Sequence, residues 1–290
     1  MSKRSSFLVR VFHVSMLAVA AAGLLEAQTQ GSCNFTMYHP KGQPYSELST
    51  GAINNFGTVV GGLNASYTTY TIKAFVRYKD GSMSFFSVPK AIDTELLGRN
   101  KYGTSVGIYS FDFNKYSGLI YTSGSYATLN YPGSPSTELR GINKWNTIIG
   151  NEEYDSKTHA RWGFKYQHGK FTLIRVPGSV QTVATGLNDN GTIVGIYQTG
   201  SAQTGNWSGF ILKDGKFQTL KYPYLPGAIN NLGVIVDIFN NIHYPNGKKI
   251  LVYVDGSENT WISGINDQNV ITGGTQSGSF SFQGFVATCQ

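Results

Sequence analysis

The sequence predicts an all-β protein: a six-bladed β-propeller of four-stranded antiparallel blades, its ring closed by the N-terminal strand joining the C-terminal blade. Three observations predict it. One phrase recurs six times, most clearly as Gly186-Leu187-Asn188-Asp189-Asn190-Gly191-Thr192-Ile193-Val194-Gly195, with anchor asparagines Asn54, Asn100, Asn143, Asn188, Asn230 and Asn266. Successive anchors lie 46, 43, 45, 42 and 36 residues apart. A period in the low forties belongs to propeller blades and is too long for leucine-rich repeats. Helical repeats would also need a 3.6-residue apolar rhythm, which is absent. Finally, the two chain ends read as complementary halves of one hairpin.

Composition agrees. The 290 residues include 35 glycines, with 13% aromatic and 13% charged residues, which suits many short strands joined by turns. A disordered chain would be richer in charge and poorer in rings.

The first 27 residues read as a secretory signal peptide. Lys3, Arg4 and Arg10 form a basic start, residues 14–25 an apolar core, and Ala27 a small residue before the cleavage point. The apolar core is short for a membrane span. Removing this segment lowers the net charge from +7 to +5. Residues 28–290 then form one propeller domain, exported to the periplasm, cell surface or medium, with no membrane span after cleavage. Its basic residues are dispersed, whereas a nucleic-acid groove clusters them. No nucleic-acid partner is expected.

Residues 33–40 supply an orphan outer strand. The repeat units lie near 47–92, 93–136, 137–180, 181–224, 225–259 and 260–290. In each, a strand enters the Asn turn and a second strand leaves it. A variable loop follows, then a hairpin such as Ala74-Phe75-Val76-Arg77-Tyr78, turn Asp80-Gly81, and Ser84-Phe85-Phe86-Ser87-Val88. Pro89, Pro132, Pro177 and Pro223 end the fourth strands, because proline cannot donate to a ladder. The Asn/Asp/Gly turns supply positive φ, and the strand glycine, as at Gly61 or Gly195, is expected to let the next blade approach. The fifth unit is compressed. It reads as Ile250-Leu251-Val252-Tyr253 turning at Asp255-Gly256 into Thr260, with Asp237 where other copies have glycine. Alternating apolar residues would bury both faces of a blade on its neighbours, which a ring achieves with short edges only. An open solenoid is the rival architecture.

Cys33 and Cys289 are expected to form a disulfide. An even count favours a bridge in an exported protein. Aligned on the fourth-unit hairpin, Cys289 takes the place of Asp214 and Cys33 that of Lys216, so the sulfurs meet at the open tip of a split hairpin.

These phrases resemble the HAF repeat family of predicted bacterial extracellular proteins. The match is carried by Gly186, Leu187, Asn188, Gly191, Ile193, Val194 and Gly195, then Gly209-Phe210, Asp214-Gly215 and Pro223. The resemblance implies export and a repeat fold, and it transfers no catalytic residue.

The Asn turns are short and uniform, so their end of the ring is expected to be structural. The other end gathers the variable loops, which carry rings and charges. Tyr67, Tyr70, Phe111, Tyr116, Tyr154, Arg161, Trp162, Trp207 and Tyr244 are the candidate ligand contacts, as loops on rigid scaffolds concentrate binding residues. The function expected is an extracellular binding or scaffolding module for carbohydrate or a protein surface. A secreted polysaccharide hydrolase or lyase is the alternative. It would use loop carboxylates such as Asp112, Glu152, Glu153 and Asp155, although no motif selects a pair. A structural envelope protein is the third reading. The histidines His39, His159, His168 and His243 lack metal-ligand spacing, and no phosphate-cradling loop occurs. No metal, cofactor or catalytic residue is expected.

Overall fold

A computed structural model describes residues 29–30, 32–40, 47–64, 70–201, 205–278 and 281–290. The signal-peptide region 1–27 and Tyr67 lie outside the described residues. The strands are β1 (Thr29–Gln30), β2 (Cys33–Tyr38), β3 (Glu47–Ile53), β4 (Val59–Asn64), β5 (Ile72–Arg77), β6 (Met83–Phe86), β7 (Asp93–Arg99), β8 (Ser105–Ser110), β9 (Ser117–Thr122), β10 (Ser125–Thr128), β11 (Thr137–Ile142), β12 (Ile148–Asp155) and β13 (Ala160–Gln167). They continue with β14 (Lys170–Ile174), β15 (Gln181–Leu187), β16 (Ile193–Thr199), β17 (Asn206–Lys213), β18 (Lys216–Leu220), β19 (Pro226–Ile229), β20 (Ile235–Asp237), β21 (Asn241–His243), β22 (Lys249–Leu251), β23 (Asn259–Ile265), β24 (Val270–Ser277) and β25 (Ser281–Cys289).

Among the described residues these strands form five sheets. Strands β3–β6 and β7–β10 are two antiparallel runs of four, joined into one sheet by a single parallel pair, Ile72 opposite Asp93. Strands β11–β14 and β15–β18 are four-stranded sheets. Strands β19–β22 hold the fifth unit, with β1 added parallel to β22. Strand β2 completes the sheet of β23–β25.

The anchor asparagine explains the repeat. Asn188 Oδ1 accepts the N–H of Asn190 at 3.1 Å and of Thr192 at 3.0 Å, closing its own turn. Asn188 Nδ2 donates to the Asn230 carbonyl at 3.0 Å, tying that turn to the next. The same link runs from Asn54 to Asn100, Asn100 to Asn143, Asn143 to Asn188 and Asn230 to Asn266. Asn266 Nδ2 then donates to the carbonyl of Asn54 at 3.1 Å, joining the last unit to the first. A buried amide is stable only when both its ends are satisfied. The positive φ of the turn falls elsewhere, on Gly57, Gly103, Asn146, Gly191, Gly233 and Asn269. The anchor therefore serves by its side chain and not by its backbone.

The strand glycine has a different use from the one the sequence suggested. A Cβ on Gly195 would stand 2.7 Å from the Phe210 ring and 2.1 Å from the Val183 carbonyl, both in its own sheet. Gly61 with Phe75, Gly150 with Phe164 and Gly273 with Phe285 repeat the arrangement. The glycine seats a fully buried phenylalanine of the third strand. The close approach between units is made instead near Gly98, Gly186 and Gly264, which face Gly141, Ala228 and Ala52. In the fifth unit Asp237 replaces the glycine, and the phenylalanine's place on β21 is taken by Asn241, which donates its N–H at 2.9 Å and its Nδ2 at 3.1 Å to the Asp237 carboxylate.

The fifth unit also corrects the sequence reading. Its outer hairpin does not turn at Asp255-Gly256. Strands β21 and β22 pair antiparallel, and their turn closes with Gly247 N–H on the Tyr244 carbonyl at 3.0 Å. Residues 254–260 instead form the connection to the next unit. Val254 N–H donates to Thr260 Oγ1 at 3.1 Å, just as Val88, Tyr131 and Val176 donate to Thr94, Thr137 and Thr182. Asp255 stands where those connections carry proline. All four strands of this unit are present, although three of them have only three residues each.

Strand β2 pairs antiparallel with β25, with Cys33 directly opposite Cys289. The two are disulfide-bonded with Cα atoms 4.1 Å apart. Register moves Cys33 one place from the position that alignment on proline suggests. Tyr38 pairs Gly284 as Leu220 pairs Gly209, so Cys33 stands in the place of Gly215. Between neighbouring sheets the core consists of apolar clusters, such as Ile149, Ile174, Val176, Ala184, Ile193 and Phe210.

Candidate functional site at the variable-loop end

Strand direction sorts the loops onto two ends. The Asn turns and outer hairpin turns share one end. The variable loops and the connections between units share the other. At the loop end the third unit concentrates the chemistry.

Strand β12 runs out to Tyr154, and β13 returns through Arg161 and Trp162. Tyr154 stacks on Trp162 with ring centroids 4.7 Å apart and planes at 12°. The guanidinium of Arg175 lies over Trp162 at 4.2 Å. Covered in this way, Trp162 is only 9% exposed, so the tryptophan expected to offer an open face is the support of the stack. Tyr154 is the open member, 43% exposed. Its hydroxyl donates to the carbonyl of Val180 in the connection to the fourth unit. Burial, then the charge of Asp155, raises its pKa, which keeps that hydroxyl a donor. A ring held at both ends has little conformational freedom left to lose on binding.

Charged groups surround the stack. Glu138 is buried and accepts from Arg140 Nη2 at 2.7 Å and Nε at 3.1 Å. Arg161 Nη1 reaches its other oxygen at 3.1 Å. Two guanidinium groups thus share one carboxylate. Glu153, also buried, meets His159 Nδ1 at 3.2 Å. Burial, opposed by a hydrogen bond from Ser134 and aided by Glu153, raises the pKa of Glu152.

The other candidates disperse. Tyr70 meets Phe113 edge-on at 5.5 Å. Phe111 is 58% exposed and meets Tyr109 edge-on. Tyr116 is buried, its hydroxyl donating to Asp93 at 3.3 Å. Trp207 is half-buried against Val183, Ile196 and Leu225. Tyr244 belongs to the opposite end, because the true fifth hairpin turns there; Pro245 beside it lies near Gly233 of the Asn turn. The loop carboxylates Asp112 and Asp155 shape their own loops. Asp112 accepts the N–H of Asn114 and Lys115, and Asp155 the N–H of Lys157 and the hydroxyl of Thr158. These bonds lower the pKa of both. Among the described residues no group of three or more His, Cys, Asp or Glu could hold a metal ion, and no helix is long and apolar enough to cross a membrane.

Sequence reasoning missed Glu138, Arg140 and Arg175. They lie in strand β11 and just beyond β14, not in a variable loop. A signal existed: two glutamates, Glu95 and Glu138, stand five residues before their anchors, where the fourth and fifth units have Val183 and Leu225.

No family model matches the chain, and no curated protein matches it. Solved structures do. The protein AofleA from Arthrobotrys oligospora superposes with a TM-score of 0.55 at 10% identity, covering 91% of each chain. The fold is a β-propeller. A gluconolactonase from Xanthomonas campestris gives a TM-score of 0.52 at 10% identity, over 86% of this chain and 89% of that one. Aleuria aurantia lectin, bound to Fucα1-6GlcNAc, gives 0.51 at 10% identity, over 86% of this propeller and 96% of the lectin. At such identities the likeness is one of fold.

Proposed function

We propose that the chain is an exported, six-bladed propeller of the HAF-repeat kind that binds extracellular carbohydrate at its variable-loop end. The count of six rests on the six anchors and on the Asn266-to-Asn54 hydrogen bond that returns the series to its start. Export is supported by the disulfide and by the leader-like first 27 residues.

The observation that carries the binding reading is the Tyr154 ring, stacked on Trp162, pinned by its hydroxyl and 43% exposed. A rigid exposed ring beside fixed polar groups suits the apolar face and hydroxyl rim of a sugar. Arg161, His159 and Glu153 supply donors and acceptors next to it. The lectin of the same fold binds a fucosylated sugar. That neighbour raises the prior for carbohydrate without locating a site.

The test is a glycan array read with the full chain and with Tyr154→Ala. The variant is expected to keep its melting temperature within a few degrees and to lose tenfold or more in affinity for the glycan the parent binds. Unchanged binding by a folded variant, or no glycan bound by the parent, would overturn the reading.

A further inference from the structure

We propose a second binding site at the Asn-turn end: a cleft between the third and fourth units that takes an acidic polysaccharide by stacking a sugar on Trp145 and pairing its carboxylates with lysines. The two sites share no residue, so this inference stands apart from the loop-end reading.

Two residues after each anchor comes the tip of the turn. The six tips are Phe56, Tyr102, Trp145, Asn190, Leu232 and Gln268. Each donates its N–H to the anchor side chain at 3.0 or 3.1 Å, so the turn is the same whatever the tip side chain is. Asn190 and Gln268 satisfy that geometry. Neither turn chemistry nor the core therefore requires a ring at the tip. Yet Phe56, Tyr102 and Trp145 are 65%, 67% and 64% exposed. Three neighbouring rings held out in water cost solvation free energy that neither the turn nor the core requires, which marks a contact surface.

Trp145 is the best fixed of them. Its Nε1 donates to the carbonyl of Asp189 at 3.1 Å, across the boundary between units. Lys144 Nζ lies 4.9 Å from its ring centroid. Beside it opens a cavity of about 240 Å³, lined by Trp145, Lys165 and Gln167 of the third unit and by Asp189 and Asn190 of the fourth. An indole wall with amide and ammonium groups around a sugar-sized space is the chemistry of carbohydrate recognition.

Charge selects the acidic class. Asp189 is already engaged: it accepts the Lys144 N–H at 2.8 Å and Asn231 Nδ2 at 3.1 Å, and lies 3.9 Å from the Lys144 ammonium. Lys165 stands in the cleft itself. The outer hairpins of the two units place Lys170, Lys213 and Lys216 at the same end, with Asp214 the one acid of those two turns. The local field is positive and favours a polyanion. A polymer fits better than a single sugar, because Tyr102 with Lys101 4.9 Å from its ring repeats the Trp145–Lys144 pair on the adjoining turn, and Phe56 continues the row.

The experiment uses the full disulfide-bonded chain and oligogalacturonate as the probe. Comparison ligands are its carboxyl-reduced counterpart and a single-stranded oligonucleotide of equal charge. Binding is followed by affinity and by iodide quenching of tryptophan, which reports Trp145 because Trp162 is buried and the other two are half-buried. Oligogalacturonate is expected to bind and shield the quenchable tryptophan, the reduced polymer to bind at least tenfold more weakly, and affinity to fall with salt. Trp145→Ala should weaken binding about tenfold or more. The double variant Lys144→Gln, Lys165→Gln should weaken it and flatten the salt dependence. Tyr154→Ala should leave it unchanged. Absence of binding, equal affinity for the reduced polymer or the oligonucleotide, or binding without shielding would each overturn the proposal. The quenching result needs no variant, so a misfolded Trp145→Ala protein does not spare it.

Discussion

The two ends of this propeller solve different problems with similar chemistry. At the turn end, six asparagines each use both ends of a buried amide, once for their own turn and once for the next unit. At the loop end, Asp112 and Asp155 also accept backbone N–H groups, but inside exposed loops that serve one unit alone. The difference teaches where repetition is enforced. A contact passed from unit to unit must be the same in every copy, and a contact made within one loop is free to vary. The same logic frees the turn tips: their side chains lie outside the anchor-to-anchor bonds, and only Trp145 and Asn190 among them reach a carbonyl of the next unit.

The sharpest way to break this contrast is to release the sheet in which the two chain ends pair. Cys33→Ser removes a bridge spanning 256 residues and should cost about 2–5 kcal/mol in guanidinium unfolding, with the steepest loss in the sheet of β23–β25 and β2. A matched pair of variants then compares the ends directly. Asn188→Ala strands the N–H groups of Asn190 and Thr192 and the Asn230 carbonyl, and should cost roughly 3 kcal/mol. Asp112→Ala removes two such bonds in an exposed loop and should stay within about 0.5 kcal/mol. Equal costs for the two would refute the claim that linkage between units is what makes the asparagine indispensable.

The smallest effect concerns pH. Burial raises the pKa of Glu152, so its charged form is disfavoured in the folded protein. Below the ordinary glutamate value the group is neutral folded and unfolded, and Glu152→Gln should leave stability unchanged. As pH rises through the folded value the wild-type protein takes on the full desolvation cost. Glu152→Gln should therefore melt slightly higher at neutral pH and equally at pH 3, as differential scanning fluorimetry would show.

Much of the scaffold was legible in the residues. The six anchors, the glycine-aspartate hairpins and the split hairpin at the chain ends all depend on contacts between positions at a regular spacing, and spacing is visible in a sequence. The fifth unit was misread because Asp255-Gly256 looks like a hairpin turn, while the deciding contact, Val254 N–H on Thr260 Oγ1, lies beyond it. That error carried Tyr244 to the wrong end. The loop-end site was legible only in part. Tyr154, Arg161 and Trp162 were visible as loop residues, but Glu138 reaches Arg161 from β11 with Arg140 beside it, and Arg175 reaches Trp162 from just beyond β14.

By itself the sequence determined the all-β class, the repeating Asn turns, the pairing of Cys33 with Cys289 and the set of residues from which a site can be drawn. These follow from period, turn chemistry and count. Only the tertiary structure decided which rings are open. Trp162 and Tyr116 are covered while Tyr154 and Trp145 are not, since exposure depends on what a neighbouring strand or unit lays over a side chain, and no local pattern records that.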